Sequence, residues 1–280
     1  MPRHIRPYDN ENHAVVDRDD AMVPRTYFNV IRLKQGEQYC SDLNGYESVC
    51  VPLDGHCNIL VGDTLYSEVG KREDLFQGKP EGVYVPTGST ATITAVHGSL
   101  TLCIAGGRSS KVLSSFVVRQ EDVDTVQYGS DETKTHRKIH HILGASQVTD
   151  RLLVSELFTV GEGGWSGFPP HKHDADCENE SAFEEVYYFR FHPSQGFGAQ
   201  FAYVNDDDFG PVHHIKDGSV MVLDKGYHPV VVAPGYQMYY FTILVGKNTR
   251  TLKQNFEEKH AHQLNTIPGI GDMIKKFRES

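Results

Sequence analysis

The sequence predicts an all-β protein made of two successive units. Two observations lead there: short runs of β-branched and aromatic residues separated by turn residues fill most of the chain, and such a series occurs twice. The first series is TYFNVIRL (26–33), SVCVPL (48–53), NILVGDTLY (58–66), GVYVP (82–86), TATITAV (90–96) and SLTLCIA (99–105). The second is LLVSELFTV (152–160), EEVYYFRF (184–191), FGAQFAYV (197–204), SVMVL (219–223), HPVVVA (228–233) and QMYYFTILV (237–245). Between them, residues 119–147 are charged and lack sustained periodicity, which marks a linker. The expected organisation is therefore an N-terminal unit over 1–118, the linker, a C-terminal unit over 148–250 and a tail over 251–280, of which 267–280 reads as helical. A turn pattern supports duplication. Pro86, Gly88 and Thr90 in the first half match Asp224, Gly226 and His228 in the second, so Thr90 occupies the slot that His228 fills.

Composition narrows the function. The 280 residues carry 27 Lys+Arg against 37 Asp+Glu, a formal net charge of −10 that repels phosphate backbones and anionic lipid surfaces, so neither nucleic acid nor a membrane is an expected partner. No run approaches the roughly 18 apolar residues of a membrane span. The opening MPRHIRPYDNENH has no apolar segment of the secretory kind, and a cytoplasmic location is the expectation. Five cysteines without a CxxC pair argue against a disulfide framework and against a cysteine zinc knuckle, leaving reduced thiols that mostly fill cores. The 15 histidines are more informative, because several stand in close pairs: His140/His141, His171/His173, His213/His214 and His260/His262.

The sharpest segment is GWSGFPPHKHDADCENESAFEEVYYFRF, 164–191. On an extended chain residues two apart share a face, so His171 and His173 can aim both imidazoles at one point. The following strand opens with Glu184 and Glu185, whose carboxylates offer a hard oxygen, and His228 after the Gly226 turn offers a further nitrogen. Taken singly, each residue has a plainer explanation: an exposed histidine pair, a solvated strand edge, a hydrogen-bonded core histidine. It is the ordered set, in an all-β chain, that points to a metal.

That ordered set resembles the cupins, whose jelly-roll barrels hold a metal with two His, a Glu and a further His. Here eleven residues separate His173 from Glu185, more than in many cupins, and Asp224 stands where the second cupin motif has proline. WSGFPPHKHD (165–174), EEVYYFRF (184–191), QGFGAQFAYVND (195–206) and GYHPVVVAPGYQMYY (226–240) resemble more closely the 5-deoxy-glucuronate isomerases of inositol catabolism, bicupins related to the 4-deoxy-5-hexosulose-uronate ketol-isomerases. VGKREDLFQGKPEGVYVP (69–86) resembles the same family's N-terminal signature, so the likeness spans about 25–246. It departs at Phe201, where the family usually has arginine, at Phe241-Thr242, and at Glu258–His262, where the family's usual tail motif is missing.

The resemblance implies a bicupin of two double-stranded β-helix (jelly-roll) barrels. Only the C-terminal barrel would carry one divalent metal ion per chain, on His171, His173, Glu185 and His228. Zinc is the first expectation, and manganese or iron accept the same ligands. The implied reaction is aldose–ketose isomerisation of a small sugar acid. Glu184, Tyr187, Tyr203 and Tyr240 are the candidate proton-transfer groups, and Gln200, Lys172 and Tyr239 the candidate substrate contacts. A homo-oligomer is compatible with this reading. Its rivals are isomerisation of another uronate, a cupin dioxygenase, which would require O₂ and Fe(II), and a noncatalytic sugar-binding bicupin, indifferent to chelation. Alternation gives Phe201 two readings: inward, it replaces a carboxylate-binding cation; outward, it packs on the sheet. The outward reading is preferred.

Overall fold

The computed structural model describes residues 2–278 apart from 73, 206 and 207. It is a mostly-β chain in which two seven-stranded sheets lie against each other and a four-stranded sheet covers the far side of the second. The N-terminal sheet runs in the order Thr26–Leu33, Thr90–Arg108, Tyr46–Val61, Gly82–Val85, Phe116–Val118, with Gln38–Asp42 and Thr64–Val69 attached at the side. Pairs of runs that read as separate strands are continuous here. Tyr46–Val61 and Thr90–Arg108 are single strands whose register shifts between Pro52 and Cys57, and these bulges let the sheet bend over its own core of Ile31, Cys57, Ile59 and Leu102.

The second seven-stranded sheet has the order Arg3–Ile5, Val220–Leu223, Phe183–His192, Gln237–Gly246, Leu152–Thr159, Arg137–Leu143, Asp124–Tyr128. Two of its members correct the sequence reading. Asp124–Tyr128 and Arg137–Leu143 lie in the stretch read as a linker, yet they pair with each other and the second pairs with Leu152–Thr159. They escape a pattern search because Asp124–Tyr128 is an edge strand whose exposed positions carry polar side chains, as edges commonly do. Arg3–Ile5 crosses from the N-terminal unit to edge the C-terminal sheet, so the boundary at 118 does not separate the two halves cleanly. The helix Ile270–Arg278 falls where the tail read as helical, with Ile270 and Met273 buried in the C-terminal core.

Strand alternation divides the interior. In Phe183–His192, Phe183, Tyr187, Phe189 and Phe191 join the core beneath the four-stranded sheet, whereas Val186 and Tyr188 join the core between the halves, with Phe28, Val49 and Phe241. The four-stranded sheet, Gly164–Ser166, Val230–Val232, Phe197–Phe201 and Val212–Lys216, closes over the first of these faces. All five cysteines are free thiols; Cys50, Cys57 and Cys103 are core residues, and Cys40 and Cys177 are exposed. No helix among the described residues is long and apolar enough to cross a membrane.

Candidate metal centre and cavity

The face of Phe183–His192 that looks toward the four-stranded sheet carries Glu185, and three histidines from two segments gather at it. His171 lies on the short strand His171–Lys172, paired with Asn255–Phe256; His173 follows it, and its carbonyl accepts Phe183 N–H at 2.8 Å. His228 leaves a turn at Gly226, where φ is +85° and a Cβ would stand 2.6 Å from the Tyr203 carbonyl oxygen, so glycine is required. One ligand atom from each of His171, His173 and His228 fits within 4.8 Å of the other two, and all three residues are buried. The Glu185 carboxylate sits among them, Oε2 being 3.0 Å from His173 Nε2 and 3.2 Å from His228 Nε2.

The imidazoles are oriented from behind. His228 Nδ1 is 2.8 Å from the Gly226 carbonyl and His171 Nδ1 3.2 Å from that of Pro169, which turns each Nε2 inward. His228 Nε2 is buried without a well-aligned hydrogen-bond partner. A buried nitrogen left in that state, beside two further imidazoles and a carboxylate, is what a divalent ion of the zinc, iron or manganese type would complete. The group could therefore hold a metal ion. Burial pulls His171 well below the usual histidine range, and its two histidine neighbours add to this. Burial also opposes charge on Glu185, but His173 and His228 outweigh it and hold the carboxyl far down. For His228 the Glu185 carboxylate and the Gly226 carbonyl overcome burial and raise the imidazole.

Residues outside the recognised motif build the frame. Glu180, 1 % exposed, accepts Lys172 Nζ at 2.7 Å, Asp174 N–H at 2.7 Å and Asn255 Nδ2 at 2.9 Å, fixing the loop after the histidine pair. Asp174 Oδ2 accepts Gly226 N–H at 2.7 Å and so ties that loop to the His228 turn. These acids were legible only as members of a polar loop.

The cavity beside the site is lined by Tyr187, Tyr240, Arg137, Leu157, Phe168, Thr242, Gln254 and Phe256, together with His171, His173 and Glu185. Tyr187 and Tyr240, named as proton-transfer candidates from the sequence, both line it, their rings 4.8 Å apart. Burial, then Glu185, pushes the Tyr187 phenol well above its ordinary value, and burial takes Tyr240 up to about 12. Glu184 points the other way: its Oε2 accepts Arg25 N–H and the Thr26 hydroxyl, both at 2.9 Å, because its neighbour Glu185 has taken the inward face. Tyr239 likewise faces the N-terminal half, donating to Glu156 at 2.9 Å. The Tyr203 hydroxyl is committed to Glu257 at 2.6 Å and is not among the lining groups. Lys172 is held by Asp174 and Glu180, which removes it as a free cation. Gln200 is fully buried and acts on the site through the backbone, its Nε2 donating to the His228 carbonyl at 2.5 Å and to that of Pro229 at 3.2 Å. Phe201 faces outward and stacks on Trp165 with ring centroids 5.6 Å apart.

The polar lining residues missed by sequence reasoning include Arg137 in the supposed linker and Gln254 in the supposed tail. Gln254 Nε2 lies 2.9 Å from His171 Nε2.

The model of the KduI/IolB family matches residues 4–263. Proteins named 5-deoxy-glucuronate isomerase from Geobacillus thermodenitrificans and Geobacillus kaustophilus are each 34% identical; the first match covers 91% of this chain and 92% of the relative, the second 83% of each. Among solved structures, an IolB-like protein from Salmonella typhimurium LT2 aligns with TM-score 0.80 and 31% identity, over 85% of this chain and 89% of that one. An oxalate decarboxylase from Lactobacillus farciminis aligns with TM-score 0.65 at 10% identity, over 97% and 93%, a likeness of fold alone. With a family model matched over nearly its whole length and the histidine-rich cavity in place, this chain belongs to the KduI/IolB family.

Proposed function

We propose that the chain isomerises 5-deoxy-glucuronate to its 2-keto isomer, 5-deoxy-2-keto-gluconate (2-deoxy-5-keto-gluconate), in inositol catabolism. The observation that carries this is the convergence of His171, His173 and His228 on Glu185 at one end of a buried, tyrosine-lined cavity, in a chain of this family. These four residues would hold a divalent ion, zinc before manganese or iron, which would supply Lewis-acid stabilisation of charge developing in the reaction. The fold reading that accompanies it is a pair of cupin jelly rolls with the metal in the second, and the location is cytoplasmic.

The chain's own groups handle the protons. The reaction is redox-neutral overall: a proton leaves C2 and one is returned at C1, while the hydroxyl hydrogen passes from O2 to O1. Tyr187 and Tyr240 keep their protons at neutral pH and act as donors to the oxygens on which charge develops. That removes tyrosine as the base. Glu185, the one carboxylate among the described lining residues, stays ionised and would serve as the oxygen ligand of the ion. Leu157, Phe168 and Phe256 exclude water from the intermediate enediol.

The test is a proton NMR assay of metal-replete protein with 5-deoxy-glucuronate in D₂O under nitrogen. Conversion, with solvent deuterium appearing at C1 and with Glu185→Gln inactive, supports the reading. No conversion of this or any related uronate, or a dependence on O₂, contradicts it.

A further inference from the structure

We propose that Arg137 binds the carboxylate of the substrate and sets the enzyme's preference for sugar acids over neutral aldoses. The inference rests on the isomerase reading of the same cavity and adds the group that would recognise the far end of the molecule. Arg137 begins the strand Arg137–Leu143, its residue is 3 % exposed, and it lines the cavity that holds His171, His173 and Glu185. Its Nη2 donates to the Tyr240 hydroxyl at 3.0 Å and its guanidinium lies 5.4 Å from the centre of the Tyr128 ring. Nε has no hydrogen-bond partner, and among the described residues no carboxylate pairs with it.

A buried, permanently charged guanidinium without a counter-ion is costly, and such a group is ordinarily paired. Arg72, the other buried arginine among the described residues, shows how the cost is met elsewhere in this chain. It holds Glu156 through both of its terminal nitrogens. Arg137 has two neutral phenols in place of an acid, and it lines the cavity. A carboxylate accepts two parallel hydrogen bonds from a guanidinium fork, which an alcohol cannot match.

Two other cations have acidic partners, Lys172 being held by two acids and Arg190 by Asp217, and position 201 faces outward on Trp165. From Glu185 the cavity wall continues through Tyr187 and Tyr240 to Arg137. An acyclic sugar acid with its aldehyde at the histidines and its carboxylate at Arg137 matches that order.

The experiment compares kcat/KM of wild type, Arg137→Met and Arg137→Lys on 5-deoxy-glucuronate and on 5-deoxy-glucose, which has a hydroxymethyl group in place of the carboxylate. Arg137→Met is expected to lower kcat/KM on both sugars through the lost bond to Tyr240 and, beyond that, to reduce the ratio of acid to neutral sugar by about 30-fold or more. Arg137→Lys, which keeps the charge without the fork, is expected to reduce that ratio by about tenfold, and carries the test if the Met variant does not fold. Equal losses on both sugars, or acid preference retained in both variants, overturn the proposal. A calorimetric titration with D-gluconate separates it from the isomerase reading. Gluconate binding that disappears in Arg137→Met supports the carboxylate site even if wild type turns over neither sugar, and binding unchanged in the variants refutes it.

Discussion

Arg72 and Glu156 meet inside the protein as a two-pronged ion pair, Nη1 to Oε2 at 2.8 Å and Nη2 to Oε1 at 2.7 Å, with the arginine contributed by the N-terminal half and the glutamate by the C-terminal half. Tyr239 adds a bond to the same carboxylate, and Arg72 Nη2 also donates to the Pro52 carbonyl at 3.2 Å. Arg72, in the segment 69–86 that carried part of the family resemblance, is therefore a clamp between halves. Arg72→Met leaves Glu156 buried and unpaired, and a loss of roughly 3–5 kcal/mol is expected in denaturant unfolding. The double variant Arg72→Met/Glu156→Leu should recover much of it. A single variant as stable as wild type would show that the pair does not hold the halves together.

Gln200 supports the site from behind by anchoring the backbone of His228. Gln200→Leu keeps the bulk and removes the bonds. Competition titration with a chelator should show metal affinity reduced by about 10–100-fold, the range expected when a ligand loses its outer support, with an unchanged circular dichroism spectrum. Affinity equal to wild type would remove Gln200 from the support of His228.

Phe201→Arg is expected to leave the preference for acid over neutral sugar within about twofold, because the side chain lies outside, against Trp165. A gain of about tenfold for the acid, equal to about 1.4 kcal/mol in transition-state binding, would mean that position 201 reaches the pocket.

His140 and His141 are buried on the strand Arg137–Leu143, and burial lowers both to about 4 from an ordinary value near 6.5. The unfolded chain then binds protons that the folded chain refuses. Their contribution to stability is fully present above pH 6.5 and is lost progressively as pH falls toward about 4. The melting temperature of wild type should decline through that window, and His140→Gln/His141→Gln should flatten the decline. An identical slope in wild type and variant would assign the acid sensitivity to other groups.

Much of the fold was readable because period-2 alternation survives wherever one face is buried: Thr26–Leu33 coincides with the run identified from sequence, and Phe183–His192 extends it by one residue at each end. What escaped has physical reasons. Asp124–Tyr128 is an edge strand, and edges tolerate charge. His171–Lys172 and Asn255–Phe256 are two-residue strands, too short to show a period. The His-x-His pair was legible because its spacing is local, whereas Arg137 reaches the cavity only through tertiary pairing, which no local pattern reports. The choice of Glu185 over Glu184 came from the cupin resemblance, in which the ligand is the acid immediately before the apolar strand; alternation then puts Tyr187 on the same face, and the same rule sends Tyr239 to the opposite core.

The most direct test of the account is elemental analysis of purified wild type and of His228→Ala, each assayed on 5-deoxy-glucuronate before and after chelation and re-addition of zinc, manganese or iron(II). The account predicts close to one divalent ion per wild-type chain, activity lost on chelation and restored by metal, and both content and activity sharply reduced in His228→Ala. Full activity in metal-free protein, or normal metal content in His228→Ala, would contradict it.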